Sequence, residues 1–382
     1  MTLDGIGSDG ELNQMAYDIA ADQGFTVPFE NCLFSSSHSH SGPGAVSSDF
    51  LWSIAPATDL LVPELQRSLA NSTAVAMLQA LKNMVPAVMD IGMGDLIGVT
   101  QNRRAKFSPY VQPGSIDPHL GVIRLDAASN SQPIATIWNF AVHGVCYGPD
   151  NLQFSGDIMG KACEIIEKDI GGIALFINAD AGDIDPAEGM CAGVPDFKGS
   201  GLMAQAVEKV RATLKPTAAV EIQSYTQVIP FGPTNLNATL GRFDNCTSGG
   251  FLDICSICAV LDCDINAHLN SAWIQQNPRF TAFSFVINGK STITVSMPGE
   301  ALLELGWWIR NDTLAMGFDQ TFLTGYSNNH MGYFATPDEY DIGGYESELT
   351  LWGIQTADLV RTGCQTVAQN VIPQKNFLQD SK

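Results

Sequence analysis

Apolar residues recur at helical spacing over Leu12, Met15, Ala16, Ile19 and Ala20, and the pattern stops near Gly24. A longer helical pattern occupies residues 58–87, carried by Leu60, Leu61, Leu65, Leu69, Ala74, Met77, Leu78 and Leu81. Residues 158–168, 202–213, 300–316 and about 347–370 are predicted as further helices. Short β-like runs alternate with them: Asn31–Ser37, Asp95–Thr100, Gly121–Leu125, Pro133–Phe140, Ile173–Ile177 and 320–325. Thr281–Ile287 and Ser291–Met297 flank Asn288-Gly289, a dipeptide suited to a tight hairpin because both turn residues need positive φ. Residues 230–270 show no period and are rich in Gly, Asn and Cys, which reads as a surface excursion. No internal repeat or linker composition divides the chain. Strands and helices mixed throughout predict an α/β (α+β) fold in a single domain over 1–382.

Composition narrows the function. Of 382 residues, 45% are apolar and 15% charged, enough apolar matter for a large core. Asp plus Glu number 40 against 19 Lys plus Arg, a net charge of −21. Such a surface repels phosphate backbones, so nucleic acid is not expected as a partner, and contact with a membrane surface is expected to be peripheral only. No run of 18 or more apolar residues is present, and the opening residues lack the pattern of a signal peptide. Nine cysteines, four of them (Cys246, Cys255, Cys258, Cys263) within 18 residues, lie beside the sequons at Asn237 and Asn245; two more sequons start at Asn71 and Asn311. Their spacings fit no standard zinc module, so disulfides in an oxidising, secretory setting and a glycoprotein are expected.

Six histidines are present, three of them in loops after apparent strands. His38-Ser-His40-Ser-Gly-Pro-Gly places two imidazoles two residues apart. On extended backbone both would face one side and converge on a metal, although two solvated loop histidines would show the same pattern. The apolar run Ile134–Val142 delivers His143 to a strand end, where it reads equally as a core histidine. Asp157 opens a helix and suits a cap. Asp180, Asp183 and Asp185 trail the buried strand 173–177 and need a metal, an Arg or helix-end amides to balance them, or serve as turn caps. Met297-Pro-Gly-Glu300 puts a carboxylate where a strand gives way to a helix. Gly325-Tyr-Ser-Asn-Asn-His330-Met-Gly-Tyr333 ends another strand, with Tyr340 and Tyr345 beyond.

Taken in order, His-Ser-His-Ser-Gly-Pro-Gly, Phe-Ala-Val-His-Gly, Ser-Gly-Asp, Gly-Asp-x-x-Pro, Pro-Gly-Glu and Gly-Tyr-Ser-Asn…Tyr-Glu resemble the catalytic domain of the neutral/alkaline non-lysosomal ceramidase family, over most of the chain. The resemblance implies layered mixed β-sheets flanked by helices, and a zinc-dependent amidase that cleaves ceramide to sphingosine and a fatty acid. By that resemblance His38, His143, Glu300 and Tyr333 hold Zn2+, His40 sits beside the metal water, and Arg103 and Tyr345 line the pocket. Zinc would lower the pKa of its water from about 15.7 toward about 7, giving a nucleophile fit for an unactivated amide. His40 would then move the proton, and Tyr345 or Arg103 would hold the oxyanion.

Three departures from the family stand out. The family's serine in Gly-Asp-x-Ser-Pro is Asp185 here, which excludes a serine nucleophile and opens a second reading, a lipid-binding pseudoenzyme. The chain also starts later than the family pattern, and no C-terminal immunoglobulin-like domain follows, so a truncated chain is expected. A metal-dependent amidohydrolase barrel also opens with HxH, but the 230–270 excursion and the 281–297 hairpin do not suit eight regular βα units.

Overall fold

The fold was taken from a computed structural model, which describes residues 1–54, 59–238 and 265–373. Two four-stranded sheets form its centre. The first has strands β3 (Ala87–Asp95), β5 (His119–Ala127), β6 (Pro133–Phe140) and β7 (Ile173–Asn178) side by side in that order. β3, β5 and β6 are antiparallel neighbours, and β6 and β7 run parallel. The second runs β15 (Gln320–Thr324), β13 (Lys290–Ser296), β12 (Arg279–Ile287) and β9 (Val220–Val228), with β13 and β15 parallel. Two-residue and three-residue strands complete the ladder set: β1 (Thr2–Leu3) with β2 (Ser35–Ser36), β4 (Thr100–Asn102) with β8 (Ile184–Pro186), β10 (Leu236–Ala238) with β11 (Ile265–Ala267), and β14 (Glu300–Ala301) with β16 (Tyr333–Phe334).

Alternation along each strand decides what the faces bury. Met89, Ile91, Ile123, Ile287 and Phe322 pack between the two sheets. Their alternate neighbours point outward. Leu120, Val122, Trp138, Phe140 and Phe176 meet α4 (Asp157–Ile170) and α5 (Lys198–Thr213) through Ile158, Ile166, Met203 and Val207. Phe280, Ala282, Ile293 and Val295 meet α6 (Leu303–Ala315) and α9 (Thr356–Gln369) through Ile309, Val360 and Val367. The result is four layers, helix–sheet–sheet–helix. Gly121 is forced by this stacking, since a Cβ there would lie 2.5 Å from the Phe322 ring. α1 (Gly10–Asp22) and α3 (Pro63–Lys82) pair beside the sandwich, their shared seam carried by Ala16, Ala20, Ala70 and Ala74.

Most of the expected elements are present, with instructive exceptions. The 31–37 run is a single 3-10 turn followed by the two-residue β2, because its Ser-rich end is consumed by bonds to neighbouring loops. Asp95–Thr100 is not one strand: it spans the end of β3, a turn and the start of β4. Glu300 does not open a helix. It sits in β14, paired with Tyr333, and α6 starts three residues later. The last predicted helix is broken: α8 (Tyr345–Glu348) and a 3-10 turn at Gly353–Gln355 precede α9. Strand β9 had no counterpart among the sequence expectations. The excursion over 230–270 is closed at its base by the β10–β11 pair; its four clustered cysteines lie outside the described residues.

Candidate metal centre

Segments leaving β2, β6, β7, β13 and β15 gather at one end of the sandwich, the carboxyl end of its parallel strands. His38 follows β2, His143 follows β6, Asp180–Asp185 follow β7, Glu300 follows β13, and Tyr326–His330 follow β15. Asn178 stitches these segments together, donating from its amide to the carbonyls of Ser37 (3.0 Å) and Val142 (2.8 Å).

Two histidines have their orientation set by main-chain carbonyls. His38 Nδ1 lies 2.6 Å from the Ile6 carbonyl, and His143 Nδ1 lies 2.6 Å from the Ala181 carbonyl. A carbonyl only accepts, so both Nδ1 atoms carry the proton and both Nε2 atoms present lone pairs. These Nε2 atoms face one carboxylate oxygen: Glu300 Oε2 is 3.2 Å from His38 and 3.5 Å from His143. His143 Nε2 is buried with no hydrogen-bond partner. His40 completes the group, its Nε2 3.2 Å from His38 Nε2, and one ligand atom from each of His38, His40 and His143 lies within 4.8 Å of the others. His38 and His143 are buried; His40 reaches solvent at its edge, while its ring is largely shielded by the cluster.

Backbone at the site is held in unusual conformations. His38 has φ +66° and Tyr326 φ +52°, left-handed values that cost a non-glycine residue about 1–2 kcal/mol each. Extended backbone was the condition under which the sequence would bring His38 and His40 to one side; the turn at His38 brings the rings together by another route, edge to face at 4.8 Å. Tyr326 stacks on the His38 ring at 4.2 Å and reaches Glu300 Oε2 at 3.4 Å. His330 lies on the far side of Glu300, Nε2 to Oε1 3.6 Å.

The electrostatics suit a cation. Burial lowers His40 to about 3, aided by His38. Burial and then Arg103 hold His143 well below its ordinary value, and burial takes His330 down to about 4. Burial pushes the Glu300 carboxyl up, but His38, His330 and Arg103 outweigh it and bring it to about 2. Imidazole nitrogens aimed at one anionic carboxylate form a donor set that fits a zinc-like divalent ion.

Arg103 connects this group to the rest of the pocket. Its Nε donates to Glu346 (2.7 Å), Nη1 to Asp185 (3.2 Å), and Nη2 to the Gly182 carbonyl (2.8 Å) and the Tyr333 hydroxyl (3.0 Å). Tyr345, nearly half-exposed, lies edge to face with Tyr333 at 5.5 Å. Burial and the Glu300 charge raise the Tyr333 phenol well above its ordinary value, so a cation is needed for it to act as a tyrosinate. The eight residues assigned to the site from the sequence, His38, His40, Arg103, His143, Asp185, Glu300, Tyr333 and Tyr345, are joined by a continuous chain of contacts.

Sequence reasoning did not assign site positions to Tyr326, His330, Glu346 and Arg104. Arg104 is fully buried and ties Glu346 (2.7 Å) to Glu339 (2.5 Å) behind Arg103. The adjacent Arg103-Arg104 pair in a chain short of cations was the available signal. Asp157 proves structural: its carboxylate accepts from the amides of Cys146 and Tyr147 (both 3.2 Å) and of Ile158 (2.6 Å), anchoring the turn after His143.

A sequence profile described as neutral/alkaline non-lysosomal ceramidase, N-terminal, matches residues 15–200, the stretch carrying His38, His40, His143 and Asp185. Over that stretch, just under half of its length, the chain is similar to this ceramidase family. Among curated members, the neutral ceramidase of Mycobacterium tuberculosis (strain ATCC 25618 / H37Rv) is 26% identical over 180 residues, covering 43% of this chain and 28% of that protein. Neutral ceramidase A of Dictyostelium discoideum is 29% identical over 243 residues, 57% of this chain and 32% of that protein. The chain thus matches about a third or less of the length of these ceramidases. The crystal structure of neutral ceramidase from Pseudomonas aeruginosa shares the fold with a TM-score of 0.75 at 20% identity, over 95% of this chain and 64% of the other. A structure described as ceramidase complexed with C2 aligns equally, TM-score 0.75 at 18% identity, over 96% of this chain and 67% of that one.

Proposed function

We propose that this chain is a single catalytic domain that hydrolyses the amide bond of ceramide or a related N-acyl sphingolipid, with Zn2+ held by His38, His143, Glu300 and Tyr333. The observation carrying the reading is the pair of carbonyl-oriented imidazoles whose Nε2 atoms face the Glu300 carboxylate, one of them buried with no other partner. Zinc, when bound, supplies Lewis acidity that polarises the amide carbonyl and acidifies water. The chain's own residues handle substrate and protons. His40, reaching solvent at its edge and unprotonated, takes at Nε2 the proton shed as water adds to the carbonyl carbon. It returns that proton to the nitrogen as the C–N bond breaks, releasing amine and fatty acid. Tyr345 presents its hydroxyl to the carbonyl oxygen as charge builds there. Arg103 holds the Tyr333 hydroxyl in place.

The −21 charge supports only peripheral contact with membranes, and among the described residues no helix is long and apolar enough to cross one. The Cys146–Cys191 disulfide supports a secretory or extracellular location, where the sequons would be glycosylated.

A second reading, the lipid-binding pseudoenzyme, is favoured by one contact: Asp185, in the family's serine position, engages Arg103. Elemental analysis of purified protein tests the metal, with zinc expected in the parent and lost in His38→Ala and His143→Ala. Turnover of a fluorescent short-chain ceramide separates the readings. Zinc without turnover, with activity gained in Asp185→Ser, would select the pseudoenzyme; zinc-free parent protein would overturn the metal assignment.

A further inference from the structure

A guanidinium has five N–H donors, and four of those on Arg103 are committed: to Glu346, Asp185, the Gly182 carbonyl and the Tyr333 hydroxyl. The fifth is the second N–H of Nη1, the nitrogen that Asp185 occupies. Glu346 cannot release Arg103, because its other oxygen and its position are fixed by the fully buried Arg104. Gly182 and Tyr333 are equally fixed, by the Gly182 N–H to the Ala301 carbonyl (2.9 Å) and by the β14–β16 pair. Asp185 differs from all three. Its side chain is 27% exposed beside an Arg103 that is 22% exposed, so this ion pair is the one that borders solvent. The contact is not a loose surface pairing. Gln101 and Asp185 are register partners across β4 and β8, and the Arg103 amide donates to the Asp183 carbonyl at 2.9 Å, so the main chain sets the two side chains together.

Arginine with an open Nη face is a strong receptor for carboxylate and phosphate. Here that face is capped by a carboxylate, which both occupies the donor and cancels the charge. We propose that Asp185 is a specificity-determining residue: it closes the exposed face of Arg103 and so makes the pocket select against lipids whose polar half is anionic. The inference rests on the lipid-amide reading above and adds to it the charge class of the ligand. A neutral amino-alcohol head leaves the Arg103–Asp185 pair intact, whereas a carboxylate or phosphate beside it would lie against Asp185 and Glu346 with the Arg103 charge already matched and only the exposed Lys106 near Asp185 as a further cation.

Two measurements on purified, zinc-supplemented full chain test this with the parent, Asp185→Ser and Asp185→Asn, the last keeping side-chain shape while removing charge. The first is displacement of a fluorescent lipid by dodecyl phosphate and by dodecanol. The second is the ratio of kcat/KM for N-dodecanoylglycine to that for N-dodecanoylethanolamine. Both variants should favour the anionic member of each pair by about tenfold or more relative to the parent. The gain should vanish when Arg103→Ala is combined with either variant. Unchanged ratios in a folded Asp185→Asn protein would overturn the proposal, as would a gain that survives loss of Arg103. The displacement arm needs no turnover. A shifted displacement ratio with no amide cleaved by any form supports the charge lock and removes the amidase reading; cleavage with unmoved ratios does the reverse.

Discussion

Gly306 lies inside helix α6, where replacing glycine with alanine ordinarily gains about 1 kcal/mol through helix propensity. The surroundings reverse that sign. A Cβ on Gly306 would fall 1.9 Å from Asp180 Oδ2, 2.5 Å from its Cγ and 2.8 Å from its Cβ. The whole Asp180 side chain stands in the way, and it has nowhere to go: it is fully buried beside the Asp117 carboxylate. Burial and then the Asp117 charge raise Asp180 well above the usual carboxyl range. Asp117 is in turn fixed by Arg310 and by His119 Nδ1 at 2.5 Å. Overpacking of a tight interior costs about 1–3 kcal/mol, and a 1.9 Å overlap belongs at the upper end of that range, so after the propensity gain Gly306→Ala should destabilise by about 2 kcal/mol. Urea unfolding should show a lower midpoint at unchanged slope. Zinc affinity should fall as well, because Asp180 precedes Ala181, whose carbonyl orients His143. In a cycle with Asp180→Ala, which removes the obstacle, the two changes should be non-additive by about 2 kcal/mol. A Gly306→Ala protein as stable as its parent, or an additive cycle, would refute the steric argument.

Other consequences can be measured on the same preparations. Arg104→Ala would leave Glu339 buried without its cation and strip Glu346 of one of its two, Arg103 remaining, and should cost about 3–5 kcal/mol in urea unfolding; a loss below about 1 kcal/mol would show the pair to be dispensable. Asp49 is raised to about 7, by burial first and then by Asp9. A raised carboxyl favours the fold while protonated, a contribution complete below its unfolded value and lost as pH climbs through about 7. Asp49→Asn keeps an acceptor for the Gln275 amide, so it should match the parent near pH 4 yet exceed it at pH 8 by about 1–2 kcal/mol after allowance for solvent screening; equal stability at both pH values contradicts this. Removing the Cys146–Cys191 bridge as C146S/C191S opens a loop with a separation of 45 residues. The chain-entropy cost is about 4 kcal/mol, to be read as a lowered urea midpoint.

Much of the sandwich was legible because alternation is a local property. Pro133–Phe140 appears as read, and Asn288 and Gly289 both adopt the positive φ that a tight hairpin demands. β9 escaped because Val220–Val228 carries Glu, Gln, Ser and Thr on a half-exposed edge strand, which blurs the apolar period. At the site, motif order exposed His38, His143 and Glu300, whereas local pattern alone left each of them ambiguous with a core or capping residue. Tyr326 and His330 are grouped by long-range topology: β15 runs parallel to β13, so the segments leaving both strands arrive together around Glu300. No short-range spacing encodes that meeting. Asp183 shows the same limit from the other side. It reads as a turn residue, yet its carboxylate binds the Leu303 amide (2.9 Å) and Asn102 (2.6 Å), partners on opposite sides of it in the chain.

The two ring nitrogens that face away from the cleft are claimed by peptide oxygens of Ile6 and Ala181. Whatever side chains evolution tries at positions 6 and 181, the oxygens stay where the folded main chain puts them. The tautomers that ready this centre are therefore inherited with the architecture itself. Loss of the centre by drift has to come through the imidazoles, the carboxylate or the backbone path, while the groups that aim them are shielded from substitution.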